Sequence, residues 1–267
     1  MSVLRGIAHG LIAPFVSHRS FHVAGYQVTV PARSLFARQL AKYQAYEPVN
    51  SNWLVSRFAD KPCGLFIDVG ANFGWYSLLM ARLSAEAQVV ALEPSRENYD
   101  LLLRNIESNT LENIVALNVG AGSSSSTAAL FVHERNNPGA HSIRPSSAGL
   151  SEEAIAIESL DALLEPYTGP VRLLKIDVEG YEVEVLRGAT KTLQRTEAVL
   201  LEYSPTFLKE CGHNPDELLE ILGEQGFNPY LVRSAGLEPV NPDRLRQCDP
   251  ALASGHRWQV DLVFVRN

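Results

Sequence analysis

Three acidic residues stand where hydrophobic runs end, and their surroundings have the spacing of a binding site. The first lies in Leu65-Phe66-Ile67-Asp68-Val69-Gly70-Ala71-Asn72-Phe73-Gly74, an apolar run with one acid, followed by two glycines four apart and an amphipathic stretch from Trp75. This reads as strand, tight turn and helix, with glycines that let a ligand approach the backbone without a Cβ in the way. The second, Glu93, lies 23 residues beyond Gly70. That is close to the distance at which an acid in a nucleotide-binding βαβ unit accepts bonds from both ribose hydroxyls. Glu93 also suits a plain helix N-terminus, ahead of Pro94 and a capping Ser95. The third is Asp177, in Leu174-Lys175-Ile176-Asp177-Val178-Glu179-Gly180-Tyr181-Glu182.

The turn itself separates cofactors. A dinucleotide site calls for G-x-G-x-x-G, which brings a pyrophosphate to a helix amino terminus. Here the pattern is Asp-x-Gly-x-Asn-x-Gly, and an ionised Asp68 repels a pyrophosphate. The same charge suits a ligand with an ammonium and a sulfonium, as in S-adenosylmethionine. An NAD-dependent dehydrogenase is therefore the weaker reading, and a binding module without catalysis is a third.

Lys175 and Asp177 share one face of their strand, about 7 Å apart, and Glu202 ends the neighbouring strand. A lysine in an otherwise apolar strand needs a partner, with Asp177 or Glu202 the nearest, so an internal ion pair is one reading of this cluster. A divalent cation held by Asp177 and Glu202 is another, opposed by the intervening Lys175; no metal is expected.

Phe66-Ile67-Asp68-Val69-Gly70-Ala71-Asn72-Phe73-Gly74-Trp75-Tyr76 and the Lys175 to Glu182 motif resemble the FkbM-type S-adenosylmethionine-dependent methyltransferases. Tyr46-Glu47-Pro48, Glu93-Pro94, Ser159-Leu160-Asp161 and Leu186-Arg187-Gly188-Ala189 extend the resemblance over roughly Tyr46 to Tyr230. It implies the class I methyltransferase sheet, seven strands with the last antiparallel, and O-methylation of a hydroxyl on a sugar, glycan or secondary metabolite. It sets the methionine part of the cofactor against Asp68, Gly70, Asn72 and Gly74, and the ribose against Glu93. Asn118 and Ala121 are set near the adenine, with Tyr46 and Glu47 closing over the cofactor. Methyl transfer is an in-line displacement, so the protein must align an acceptor oxygen and help it lose a proton. Asp177 is the first candidate for that role, Glu179 the second and His141 the third, although a lone loop histidine is ordinarily a solvated one.

The elements needed to carry these residues are visible as periodicity. Strands are expected at Leu65 to Val69, Gln88 to Leu92, Ile114 to Val119, Val171 to Ile176 and Ala198 to Tyr203, with late strands near Phe227 to Val232 and Gln259 to Val265. Helices are expected at Trp75 to Leu83, Arg96 to Ser108, Tyr181 to Leu193 and Pro215 to Gln225. Such alternation specifies an α/β fold with a doubly wound, mostly parallel sheet. Gly120 to Ser126 reads as a loop, Ala128 to His133 and Ala154 to Glu158 as a small strand pair, and Asn136 to Ser151 as a lid. Residues 1–60 read as a cap: a hairpin or edge strand over Phe21 to Val30, then helices over Ser34 to Tyr46 and Ser51 to Phe58. Residues 61–267 form the cofactor-binding domain.

Composition narrows the rest. The 267 residues are 46% hydrophobic, enough for one large core, and carry a net charge of −7 with scattered Lys and Arg, which excludes a nucleic-acid backbone as main partner. Cys63, Cys211 and Cys248 have no metal-ligand or disulfide spacing, which fits a reducing, cytoplasmic setting. No apolar run reaches the roughly 20 residues of a membrane span; Gly6 to Val16 is at most a weak membrane-surface contact. The expected partner is a small-molecule or glycan hydroxyl acceptor, and the sequence does not determine an oligomeric state.

Overall fold

A computed structural model describes residues 17–60, 64–83, 86–132, 143, 151–248, 252 and 258–266. The N-terminal hairpin pairs β1 (His18–Val23) with β2 (Tyr26–Pro31) and is followed by helices α1 (Leu35–Tyr43) and α2 (Pro48–Phe58). Then come β3 (Gly64–Val69), α3 (Trp75–Leu83), β4 (Ala87–Leu92), α4 (Arg96–Ser108) and β5 (Ile114–Leu117). A small sheet holds β6 (Gly120–Ala121), β7 (Ser126–Val132) and β8 (Ser151–Glu158), followed by α5 (Leu160–Leu163). The winding resumes with β9 (Val171–Ile176), α6 (Glu182–Arg187), α7 (Thr190–Gln194), β10 (Ala198–Tyr203), α8 (Pro205–Glu210) and α9 (Pro215–Glu224). It closes with β11 (Phe227–Arg233), β12 (Gly236–Pro239), α10 (Pro242–Arg246) and β13 (Val260–Arg266).

The main sheet runs β12-β11-β13-β10-β9-β3-β4-β5. Numbered along the chain from β3, its seven core strands lie in the order 3-2-1-4-5-7-6, with β13 antiparallel to both neighbours. This is the class I methyltransferase sheet that the motifs implied, with β12 as an added edge. The winding reverses between β3 and β9, the position at which doubly wound sheets bind ligands. Both motif turns emerge there.

The sheet is apolar on both faces. On one side Ile67, Leu92, Leu174, Ile176 and Leu201 pack with α6 and α9 residues such as Val183 and Leu218. On the other, Phe66, Leu173, Leu200 and Val263 join Leu40, Leu54 and Phe58 from α1 and α2 and Val28 and Val30 from the hairpin in one continuous core. The hairpin is also tied by polar bonds. Asn105 of α4 accepts from the Thr29 N–H at 2.7 Å and donates to the Thr29 carbonyl at 3.0 Å, while Asn109 repeats the pattern at Gln27. These amides take the place of a neighbouring strand.

Several boundaries differ from the periodic reading. Gly120–Ala121 is a short strand, parallel to β8, in what reads as a loop. The expected helix from Tyr181 to Leu193 is two, broken at Gly188-Ala189, where a Cβ on Gly188 would lie 1.9 Å from the Gly122 carbonyl oxygen. The chain gives up helix continuity there for close contact with the small sheet. Helices α5, α8 and α10, of 4, 6 and 5 residues, are too short to show a 3.6-residue pattern. Most of the expected lid, and the segment Gly6 to Val16, lie outside the described residues.

Gly188→Ala should therefore lower stability by about 1–3 kcal/mol through overpacking. Gly223→Ala, in helix α9 with nothing within 4 Å of the added Cβ, should raise it by about 0.5–1 kcal/mol. Urea unfolding of the two variants checks both signs.

Candidate active site

At the switch point the turns after β3 and β9 interlock. The Asp177 N–H donates to the Val69 carbonyl at 3.0 Å, and a Cβ on Gly70 (φ +75°) would sit 1.9 Å from the Asp177 carbonyl oxygen. Gly70 is thus required by the backbone of the second motif as well as by any ligand. A cavity of about 320 Å³ opens over this junction. Glu47, Gly70, Asn72, Glu93, Ala121, Asp177 and Glu179 all line it. Three of these, Glu47, Asn72 and Glu179, hold left-handed backbone at φ +42°, +52° and +54°. Such strain in non-glycine residues gathers where a site needs it.

Glu93 is buried at the end of β4. Its Oε2 accepts from the Asn72 N–H at 2.8 Å and its Oε1 from the Ser95 N–H at 2.9 Å, which fixes the carboxyl plane against the cavity. Burial pushes its carboxyl up to about 7, against the pull of those two N–H groups and of Lys175. Asn118 is spent elsewhere: its amide donates to the carbonyls of Glu93 and Pro94 at 2.8 and 2.9 Å, binding the ends of β4 and β5 together rather than lining the cavity wall. Gly74 also stands off the wall, with its missing Cβ making room for Leu102.

Asp68 stands behind the first turn, off the cavity wall. The strand places it on the face covered by α3, where it is 0% exposed, accepts from Ser77 Oγ at 2.6 Å and does not line the cavity. Its Oδ1 lies 3.5 Å from Lys175 Nζ, because β3 and β9 pair Asp68 directly with Lys175. Lys175 also reaches Asp177 Oδ2 at 3.4 Å and the Gly70 carbonyl at 3.4 Å. Burial alone would push this ammonium down, yet the carboxylates of Asp177, Asp68 and Glu47 hold it well above the ordinary lysine range. The partner unforeseen in the sequence was Asp68, which can be found only once the register of β3 on β9 is known.

Asp68, Lys175, Asp177, Glu202 and Asp261 continue the apolar face of Phe66, Leu173, Leu200 and Val263 by period-two alternation. They form a charged row along the carboxyl ends of β3, β9 and β10 and the amino end of the antiparallel β13. Asp261, missed in the sequence because β13 reads as a hydrophobic run, pairs in register with Glu202 and accepts from Asn50 of α2 at 2.8 Å. Glu202 accepts from Gln259 at 2.9 Å. Burial and the surrounding carboxylates push both acids up. Glu47 accepts from Tyr76 Oη at 2.5 Å. Burial, with Glu47 and then Asp177 beside it, raises the Tyr46 hydroxyl so that it stays a donor. Glu182 holds the second turn, accepting from the N–H groups of Gly180 and Val178 at 3.1 and 3.4 Å. No group of three or more His, Cys, Asp or Glu among the described residues is arranged to hold a metal ion. His141 lies outside the described residues.

A family model described as the methyltransferase FkbM domain matches residues 68–229, more than half of the chain. This chain belongs to that family. Among similar proteins, methyltransferase sdnD of Sordaria araneosa is 33% identical over 162 residues, covering 49% of this chain and 62% of the relative. Hexuronic acid methyltransferase AglP of Haloferax volcanii is 29% identical over 169 residues, covering 62% of this chain and 64% of the relative. The match thus spans less than two thirds of either relative. Similar solved structures include Trm5b from Pyrococcus abyssi, with a TM-score of 0.47 and 11% identity, covering 94% of this chain and 56% of that one. Magnesium protoporphyrin IX methyltransferase from Synechocystis, solved with its methyl donor bound, has a TM-score of 0.45 and 13% identity over 83% of this chain and 79% of its own.

The methyl donor of the FkbM family is S-adenosylmethionine, and the site fits it. The cavity walls carry six carboxyl groups, Glu47, Glu93, Asp177, Glu179, Glu202 and Asp261, against the single ammonium of Lys175. A pocket of that sign favours a cationic sulfonium, and Gly70 leaves open backbone beside it.

The buried carboxyl of Glu93 sets a pH dependence. Raised from about 4.5 to about 7, it favours the folded state below the unfolded value and loses that contribution as pH rises through about 7, a change of about 3 kcal/mol. Glu182, also pushed up to about 7, adds to the same slope. Urea unfolding of the ligand-free protein at pH 5 and pH 8 should show this loss, and Glu93→Gln should flatten it. An unchanged slope in the variant would place Glu93 outside the account.

Proposed function

We propose that this chain is an S-adenosylmethionine-dependent O-methyltransferase acting on a hydroxyl of a sugar, glycan or secondary metabolite. The observation that carries this reading is the electronegative cavity at the sheet's switch point, with a backbone-fixed acid at one end and Asp177 at the junction of the two turns. Family membership supports methyl transfer, and a relative described as a hexuronic acid methyltransferase supports a sugar-like acceptor. A dehydrogenase reading fares worse, since the pyrophosphate of NAD would face six carboxyl groups and one ammonium.

In this reading Glu93 accepts the two ribose hydroxyls, Gly70 and Asn72 border the methionine part, and Ala121 borders the adenine. Asp68 acts from behind the turn by holding Lys175, and Glu47 closes the N-terminal side together with Tyr46 and Tyr76. Bound S-adenosylmethionine supplies an electrophilic methyl on a sulfonium. The acceptor hydroxyl is the nucleophile, and the bond forming at its oxygen requires its proton to leave. Asp177 is 39% exposed at the cavity, with one carboxyl oxygen turned to Lys175. It orients the hydroxyl and takes the proton, directly or through water. The ammonium beside it fixes one carboxyl oxygen in place, which puts most of the weight on orientation. Glu179 stands next to it as the second candidate.

Isothermal titration is expected to show tight S-adenosylhomocysteine binding and no response to NAD; the reverse would favour the dehydrogenase. Asp177→Asn should keep the S-adenosylhomocysteine affinity and reduce homocysteine-conjugate release with an accepted sugar about 100-fold or more. Retained turnover would assign Asp177 to the ion pair alone.

A further inference from the structure

Helix α1 is seated over the first turn by three aromatic rings. The centre of the Phe36 ring lies 4.7 Å from that of Phe73, and Tyr46 meets the two rings at 5.2 and 5.6 Å. Phe73 directly follows Asn72, so these rings hold α1 against the backbone proposed to border the methionine part of the cofactor. Gln39 stands one helical turn on from Phe36, half-buried, and lines the cavity with it. Its Oε1 accepts from the Glu47 N–H at 3.4 Å, and its amide nitrogen meets no acceptor among the described residues. Other donors on the same wall are spent: Trp75 on Ser51, Tyr76 on Glu47 and Gln259 on Glu202.

The charge of the cavity gives this amide a use. Six carboxyl groups suit the sulfonium and the ammonium of S-adenosylmethionine, but the methionine part also carries a carboxylate, which the same walls oppose. Lys175 is committed to Asp68, Asp177 and the Gly70 carbonyl, and among the described residues no other basic side chain lines the cavity. The carboxylate must therefore be met by neutral N–H donors, whose bonds to a charged acceptor are the stronger kind.

Resting on the proposed methyl transfer, we propose that Gln39 is a cofactor-binding residue whose amide donates to the methionine carboxylate of S-adenosylmethionine. The N-terminal cap then takes part in recognising the amino-acid end of the cofactor, and a thioadenosine that lacks the carboxylate gains nothing from it.

Isothermal titration of the ligand-free protein with S-adenosylhomocysteine, and with its decarboxylated form that keeps the ammonium, tests this. Gln39→Ala should weaken S-adenosylhomocysteine about tenfold and leave the decarboxylated ligand within about twofold, the order expected of one bond to a charged group. Gln39→Glu keeps an oxygen for the Glu47 N–H but puts a negative charge in place of the donor. It should weaken S-adenosylhomocysteine further than Gln39→Ala does, without weakening the decarboxylated form. A side chain that only supported Glu47 would behave differently, because Gln39→Glu would then bind S-adenosylhomocysteine as the unaltered protein does. That result, or equal losses for the two ligands, would overturn the inference. Failure of the unaltered protein to bind S-adenosylhomocysteine would instead bring down the proposed methyl transfer on which the inference rests.

Discussion

One buried ammonium decides where everything else at the site can stand. Lys175 arises from an apolar central strand, and an ammonium in such a place costs several kcal/mol unless it is paired and hydrogen-bonded. Its partners come from three directions: Asp68 from the adjacent strand, Asp177 from its own strand end and the Gly70 carbonyl from the turn between them. Satisfying it fixes the first turn to the second. Gly70 is then held so close to Asp177 that no side chain fits between them.

The rest of the charged edge follows from that arrangement. Asp68 is absorbed by the pairing, which leaves Glu93 as the acid that lines the cavity at the first two strands. Asp177, Glu202 and Asp261 carry the negative row onward across the sheet. The N-terminal elements complete the enclosure. Helix α2 brings Asn50 onto Asp261, and the strained corner before it brings Glu47 onto Tyr76. The hydrophobic cluster that seats those elements is continuous with the sheet face below, so the wall they form is part of the same core.

Much of this was legible in the residues. The strand ending in Asp68-Val69-Gly70 and the helix from Trp75 follow from an apolar run and its glycines, and helix Arg96–Ser108 from its apolar spacing. Glu93, singled out by its distance from Gly70, lines the cavity. What escaped depends on pairing between distant segments. That Asp68 lies beside Lys175 follows from the register of β3 against β9, which no local pattern encodes. Asp261 is a single acid in a hydrophobic strand, and only its position opposite Glu202 gives it meaning. The break at Gly188 reflects a backbone contact with Gly122, 66 residues away in sequence. Asn105 and Asn109 look like ordinary polar positions on a helix until the hairpin edge is laid against them.

The most direct test of the central role of Lys175 is a double-mutant cycle on Lys175→Met and Asp68→Asn, read in unfolding free energy and in S-adenosylhomocysteine affinity. Each single change removes one side of the buried Lys175–Asp68 pair and is expected to cost about 3–5 kcal/mol and to weaken the ligand. The double variant should recover a large part of both losses, because the pair is removed together. Losses that simply add in both readouts would show that the two residues act independently, and would contradict the account of a single ion cluster joining the two turns.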